Sequence, residues 1–272
     1  MSIKNSYNIL LTNDDGIQSD GLLAAAEALS GLGNVTVVAP REEVSASGRS
    51  MPPHSDEKVE RTKLIIGGEE WTGYAIGGTP GQAVLYAILN IMPIKPDLVV
   101  SGINAGENVG DIITTSGTVC AAIEAASNGV PGLAVSRQIH NWEEFVMSGK
   151  KADYSTAAFF TRYFAELMLT RSLPNDVDLL KVDVPEQATP QTPWRITRQA
   201  KHRYYIPFID NDGTAPRPGK INVKISVKPG DTPHDSDVHT LAFEKMVSVT
   251  PLSIDLTSRV DLAKLEEELR EV

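Results

Sequence analysis

Short apolar runs alternate with stretches of helical period along the first two thirds of the chain. Ile9-Leu10-Leu11-Thr12 reads as the first strand of a parallel sheet. Leu22 to Leu29 follows with helical spacing, with Asp20 as the expected N-cap and Gly31 as the stop. Val35-Thr36-Val37-Val38-Ala39, closed by Pro40, predicts the next strand, so the chain opens with the β–α–β unit of a doubly wound sheet. A polar loop then runs from Arg41 to Pro53. Residues 59–66 and 71–76 read as strands joined by Gly67-Gly68. A helix over 81–92 is expected, capped by Thr79 with Pro80 in its first turn. Further along, the pattern predicts strands at 97–101 and 133–136, a long loop at 102–116, and helices over 118–128 and 154–169. The segment 179–185 reads as the last strand of the sheet.

Helical periodicity fades after about residue 190. Alternating segments such as Ile221–Val227 take over, punctuated by Pro216, Pro218-Gly219 and Pro229-Gly230. The expected organisation is an α/β core over 1–190 with a mostly parallel sheet, then a β-rich appendage over 190–250 that shapes a substrate mouth or makes oligomer contacts. A C-terminal segment, 251–272, carries a Glu-dense helix over 260–271.

Composition narrows the partners. A chain of 272 residues with 41% hydrophobic and 22% charged residues is ordinary globular material with room for a substantial core. The net charge of −10 argues against polymeric nucleic acid or an anionic membrane as partner. Small phosphate substrates stay open, because a bound metal inverts the local potential. The single cysteine, Cys120, has no internal disulfide partner and fits a cytoplasmic location. It falls in a predicted helix and reads as a packing residue. No signal-peptide pattern precedes Asn13, and no apolar stretch reaches the roughly 18 residues of a membrane span.

The chemistry begins at Asn13-Asp14-Asp15-Gly16. Two adjacent carboxylates stand at the carboxyl end of the first strand, where open α/β sheets bind ligands, and a glycine lets the chain turn sharply behind them. Adjacent carboxylates repel, and a divalent cation is the simplest way to keep both ionised. An Asx-turn that merely ends the strand is the plain alternative. A second loop, Gly102-Ile103-Asn104-Ala105-Gly106-Glu107-Asn108-Val109-Gly110, also follows a strand. Its glycines admit close approach to a ligand, and its two Asn amides offer oxygen ligands and N–H donors. Ser116-Gly117-Thr118 opens a helix, where free backbone N–H groups and hydroxyls form an anion site or a simple N-cap. Ser45, Ser47 and Ser50 share the loop after the second strand, and nothing local selects one of them. Carboxylates, an amide oxygen and a hydroxyl are hard ligands that suit Mg²⁺ or Mn²⁺ better than Zn²⁺. His54, His140, His202, His234 and His239 show no metal-ligand spacing, and His234 and His239 read as solvated loop residues.

Taken together, these segments resemble the SurE (survival protein E) family of metal-dependent phosphatases and nucleotidases. The matching stretches are Ile9–Gly16, Val37–Pro40, Gly78–Pro80, Ser101–Gly106 with Asn108 and Gly110, Ser116–Val119, and Val247–Leu252. They are collinear and span nearly the whole chain. The resemblance implies a Rossmann-like three-layer core that hydrolyses nucleoside monophosphates. It implies one divalent metal ion, Mg²⁺ or Mn²⁺, on Asp14, Asp15, Ser45 and Asn104. Asn108 and the Ser116-Gly117-Thr118 turn match the phosphate-side positions, and a homodimer or homotetramer is expected. Where family members often carry Asp-Cys after Thr-Pro, this chain has Gly81-Gln82-Ala83. The last strand commonly carries Asn before Val-Pro and here carries Asp183.

The implied mechanism uses Asp14, Asp15 and Asn108 as catalytic residues. The two carboxylates hold the metal, one of them orients the attacking water, and Asn108, Ser116 and the helix start near Thr118 donate to the phosphoryl oxygens. A haloacid-dehalogenase-type phosphatase needs Asp-x-Asp, but Gly16 stands two residues after Asp14. A nucleotide- or phosphate-binding regulator without turnover is the alternative from another class. The paired carboxylates count against it.

Overall fold

The structure is a computed structural model that describes residues 6–53, 56, 58–141, 145, 147, 151–209 and 221–270. His54, Pro216, Pro218-Gly219 and the last predicted helical residue, Glu271, lie outside them. The strands are β1 (Tyr7–Thr12), β2 (Gly33–Pro40), β3 (Val59–Ile66), β4 (Glu69–Ile76), β5 (Leu98–Ala105), β6 (Gly132–Arg137), β7 (Leu179–Val184), β8 (Trp194–Ile196), β9 (Tyr205–Ile209), β10 (Ile221–Ile225) and β11 (Val247–Leu252). The helices are α1 (Asp20–Leu29), α2 (Pro80–Tyr86), α3 (Gly117–Ser127), α4 (Ser155–Thr170), the single turn α5 (Asp237–His239) and α6 (Leu262–Arg270).

Among the described residues the main sheet is nine-stranded, in the order β3-β4-β2-β1-β5-β6-β7-β11-β8. The strands from β4 through β7 run parallel, as the near-continuous apolar runs of β1, β5 and β6 demand of strands covered on both faces. Helices α1 and α4 cover one face, through Leu22, Leu29, Phe160 and Phe164 packed on Ile9, Leu11 and Val100. Helices α2 and α3 cover the other, through Val84, Ala121 and Ala125 on Leu10 and Val99. The result is the three-layer α/β fold. No helix among the described residues is long and apolar enough to cross a membrane.

Sequence order reverses around β1: β2 pairs on one side and β5 on the other. That is the topological switch point, where diverging connections leave a crevice at the carboxyl ends of the strands. Asp14, Asp15 and Asn104 all come from this edge.

Several expectations are corrected. Ser19, not Asp20, caps α1: its hydroxyl accepts from Leu22 N at 3.4 Å, and Asp20 is the first helical residue. Thr79 does cap α2, in a reciprocal capping box with Gln82, but regular α geometry stops at Tyr86 and a π-turn carries Ala87–Ile91. The predicted loop at 102–116 is shorter. β5 continues to Ala105, pairing Asn104 with Ser136 after a register shift, and Gly110–Thr114 forms a 3₁₀ turn. Nor is β7 the last strand. β11 pairs antiparallel to it and β8 parallel to β11, so parts of 190–250 complete the main sheet, and β9–β10 form a separate ribbon. Non-adjacent pairing of this kind leaves no local trace in sequence.

Candidate active site

β1 ends at Thr12, and the next residues turn outward over Gly16, whose φ of 98° lies in the region glycine favours. Asn13 holds this turn by donating from its side chain to Gly16 O and to Ser19 Oγ. The turn puts Asp14 against the start of α3. Its Oδ1 accepts from Thr118 Oγ1 at 2.6 Å, and a Cβ built on Gly117 would stand 2.7 Å from Asp14 Oδ2. Only glycine lets carboxylate and helix approach so closely. Asp14 thus takes the helix N-terminus itself, where backbone N–H groups favour negative charge.

Asp15 points toward β5, and its Oδ2 accepts from Ala105 N at 3.1 Å. That bond sets Asn104 beside it. Asn104 Nδ2 donates to Gly106 O at 2.7 Å, which leaves the amide oxygen for a ligand. The loop after β2 closes the third side. Val44 N donates to Asp14 O at 2.8 Å, Gly48 N to Thr115 O at 2.9 Å, and Arg49 Nε to the buried Glu124 of α3 at 2.5 Å. Ser45 is carried on this loop, exposed, with its hydroxyl donating to Glu43 Oε1 at 2.5 Å.

The electrostatics are those of a charge deficit. Burial pushes the Asp14 carboxyl up against the pull of its Thr118 bonds. Burial also pushes Asp15 up to about 7, with the neighbouring Asp14 charge adding to it. Glu43 raises both further. Among the described residues neither aspartate forms an ion pair with a Lys, Arg or His. Two adjacent carboxylates without a cationic partner, Asp14 buried and Asp15 half-buried, with an amide oxygen beside them are the donor set of a hard divalent cation, so the residues present fit such an ion.

The remaining predicted residues are placed as follows. Ser116 caps α3, its hydroxyl accepting from Val119 N at 3.1 Å, and Thr118 orients Asp14. Asn108 is buried, with its backbone N–H on Asp183 Oδ1 at 2.7 Å and its Nδ2 on Ser136 Oγ at 2.9 Å. His234 is an exposed loop residue as expected, but His239 is buried in α5. The 233–236 turn folds His234 back on α5, putting Nδ1 3.0 Å from Nε2 of the buried His239. Among the described residues no group of three or more His, Cys, Asp or Glu is arranged to hold a metal. Cys120 is buried within α3.

Sequence reasoning missed the layer beneath the loop. Glu107 is buried and accepts from Tyr204 Oη at 2.7 Å and from Ile139 N at 3.2 Å. Lys181, Asp183 and Asp237 are fully buried together. A signal did exist, since charges inside an apolar strand such as Leu179–Val184 require buried partners.

Fold and site together define an α/β protein with a cation-fitting acidic crevice at its switch point, beside a glycine-rich loop and a helix N-terminus. The family model described as Survival protein SurE matches residues 9–206, and the chain belongs to that family. The "5'-nucleotidase SurE" of Thermococcus gammatolerans is 43% identical over 96% of this chain and 95% of its own length. The protein of the same name from Archaeoglobus fulgidus is 39% identical over 95% of each. A crystal structure of the SurE protein from Aquifex aeolicus superposes with a TM-score of 0.74 at 29% identity, covering 97% of this chain and 98% of the other.

Proposed function

We infer that this chain is a nucleotidase, a phosphoric monoester hydrolase acting on nucleoside monophosphates. The carrying observation is the cation-deficient pair of buried Asp14 and half-buried Asp15 at the switch point of a chain whose relatives are named 5'-nucleotidases. We propose that one divalent ion, Mg²⁺ or Mn²⁺, is held by Asp14, Asp15 and Asn104. Ser45 joins them once its hydroxyl turns from Glu43. When bound, such an ion offsets charge on the phosphoryl oxygens and makes water more acidic.

In this reading Thr118 and the start of α3 hold Asp14 in place. Ala105 N–H fixes the orientation of Asp15, and the free oxygen of one of the two carboxylates orients the attacking water. Asn108, through the Nδ2 hydrogen not engaged by Ser136, donates to the phosphoryl oxygens together with Ser116 and Gly117. The clamp of Arg49 on Glu124 keeps the loop that bears Ser45 over the crevice.

We further propose a homodimer or homotetramer. Every residue of α6 is exposed, including Leu262, Leu265 and Leu269, which recur at a spacing that forms one apolar helix face. The β9–β10 ribbon contributes to a substrate mouth or to subunit contacts. A cytoplasmic location agrees with a single buried thiol.

The test is phosphate release from a panel of nucleoside monophosphates with Mn²⁺, Mg²⁺ or chelator, for wild type and Asp15→Asn. Metal-dependent release, lowered at least about 100-fold in the variant, is expected. Nucleotide binding without release under any metal would favour the non-catalytic regulator.

A further inference from the structure

A fully buried ionic cluster lies under the Asn108–Gly110 stretch. Lys181 Nζ stands 2.5 Å from Asp183 Oδ2 and 3.2 Å from Asp237 Oδ2, with all three side chains inaccessible to solvent. Strand alternation explains part of this: Leu180, Val182 and Val184 face the core beneath α1 and α4, so Lys181 and Asp183 face the opposite way. Burial acts to lower the ammonium pKa, but the two carboxylates outweigh it and hold Lys181 above its usual range. Each carboxylate spends its remaining capacity largely on backbone. Asp183 Oδ1 accepts from Asn108 N at 2.7 Å. Asp237 Oδ2 accepts from Gly110 N at 3.0 Å, and its Oδ1 accepts from Ala200 N at 2.9 Å and Val238 N at 2.8 Å. Gly110 has φ of 73°, and a Cβ there would meet His202 O at 2.8 Å, so the position takes glycine alone. Ser136 holds the Asn108 side chain from β6.

Such a cluster is an inefficient way to gain stability, because desolvation offsets much of the attraction; an apolar cluster of the same volume serves as well. What the charges add is direction. Carboxylate-to-amide bonds are short and strong, and here two of them fix two N–H groups of one loop, two residues apart.

We propose that Lys181, Asp183, Asp237 and Ser136 are positioning residues that set Asn108 at the geometry it needs to bind the phosphoryl group. The proposal rests on the nucleotidase reading for the role of Asn108. The side chains of Lys181, Asp183 and Asp237 bond to one another and to backbone N–H groups, and that of Ser136 to Asn108. Ser136 meets the proposed metal ligand Asn104 only as its partner in the β5–β6 ladder, so side-chain changes here separate phosphate binding from metal binding.

Three quantities test it on the full chain: Mn²⁺ affinity, affinity of the Mn²⁺-loaded protein for inorganic phosphate, and kcat and KM for a nucleoside 5'-monophosphate. Asp183→Ala is expected to keep Mn²⁺ affinity within about two-fold, weaken phosphate about ten-fold or more, and lower kcat/KM by a larger factor. Lys181→Gln/Asp183→Asn retains an oxygen acceptor for Asn108 N and leaves a neutral, mutually bonded amide pair. It is expected to recover phosphate affinity to within about five-fold of wild type. Should Asp183→Ala be recovered unfolded, Ser136→Ala makes the mildest cut in the same network, and a several-fold loss of phosphate affinity is expected at unchanged Tm. A folded Asp183→Ala or Ser136→Ala with wild-type phosphate affinity overturns the proposal. So does a parallel loss of Mn²⁺ and phosphate affinity that the double variant fails to restore. A wild type that binds phosphate without hydrolysing nucleotides sinks the nucleotidase reading and leaves the positioning role standing on the affinity measurements. A wild type that binds no phosphate sinks both.

Discussion

Asp15 carries the clearest consequence at the scale of single residues. Burial and the adjacent Asp14 charge lift its carboxyl to about 7. Without metal, the folded protein therefore keeps a proton that the unfolded chain has already released near pH 4. The stabilising contribution of that proton is complete below the unfolded value and is lost as pH rises through about 7. Chelated protein should lose several degrees of Tm between about pH 5 and pH 8, and Asp15→Asn should remove most of that slope. Calorimetry across the range, with and without Mn²⁺, reads both effects. Added metal should raise Tm most at the alkaline end, where it no longer competes with the proton. A wild-type Tm that stays flat without metal would show that the pair is already compensated.

β5 is the element on which the site turns. Its register on β6 shifts between Ser101 and Asn104, and the shift delivers Asn104 to Asp15 and Ala105 N–H to its carboxylate. Gly102 makes this possible. Its φ is 136°, and a Cβ would lie 2.3 Å from Val135 O on β6. Gly102→Ala is therefore expected to cost on the order of 3 kcal/mol or more, through strain and overlap together, and to weaken metal binding in whatever protein still folds. Urea unfolding beside Mn²⁺ titration checks it; a variant with unchanged midpoint and affinity contradicts the close-approach argument. The Gly-x-Asn pattern was readable as a ligand-facing segment. That its first half is strand was not, because glycine and asparagine in a row look like turn chemistry until a neighbouring strand supplies the pairing.

For the whole molecule the open face is α6. Residues 254–270 are all exposed, tied to the rest of the chain by contacts such as Ile254 N to Asp178 and Arg259 to Asp176, and Leu262, Leu265 and Leu269 line one side of the helix. The wild type is expected to sediment as a dimer or tetramer, and Leu265→Asp/Leu269→Asp as a smaller species. A monomeric wild type would remove the oligomer from the account. Charge also acts at this scale. A formal −10 disfavours a nucleic-acid backbone as general partner, and in the proposed function the acidic site takes a cation to hold a phosphate.

The chain's own pattern determined the α/β class, most strands and helices of residues 7–184, and the place of the acidic pair at a strand end. It could do so because helical and strand periodicities, caps and glycine turns are local, and because β–α–β order constrains how such a sheet is wound. Tertiary structure alone decided that Thr118 serves Asp14, that β11 and β8 extend the sheet beyond β7, and that Lys181, Asp183 and Asp237 meet beneath the Asn108 loop. Each of these depends on a partner far away in sequence, 104 positions for Asp14 and Thr118 and 75 for Asn108 and Asp183, and the charges within Leu179–Val184 signal only that buried partners are needed, not which ones. Asp183 looks like a misplaced charge in a core strand until Lys181, Asp237 and the N–H of Asn108 surround it.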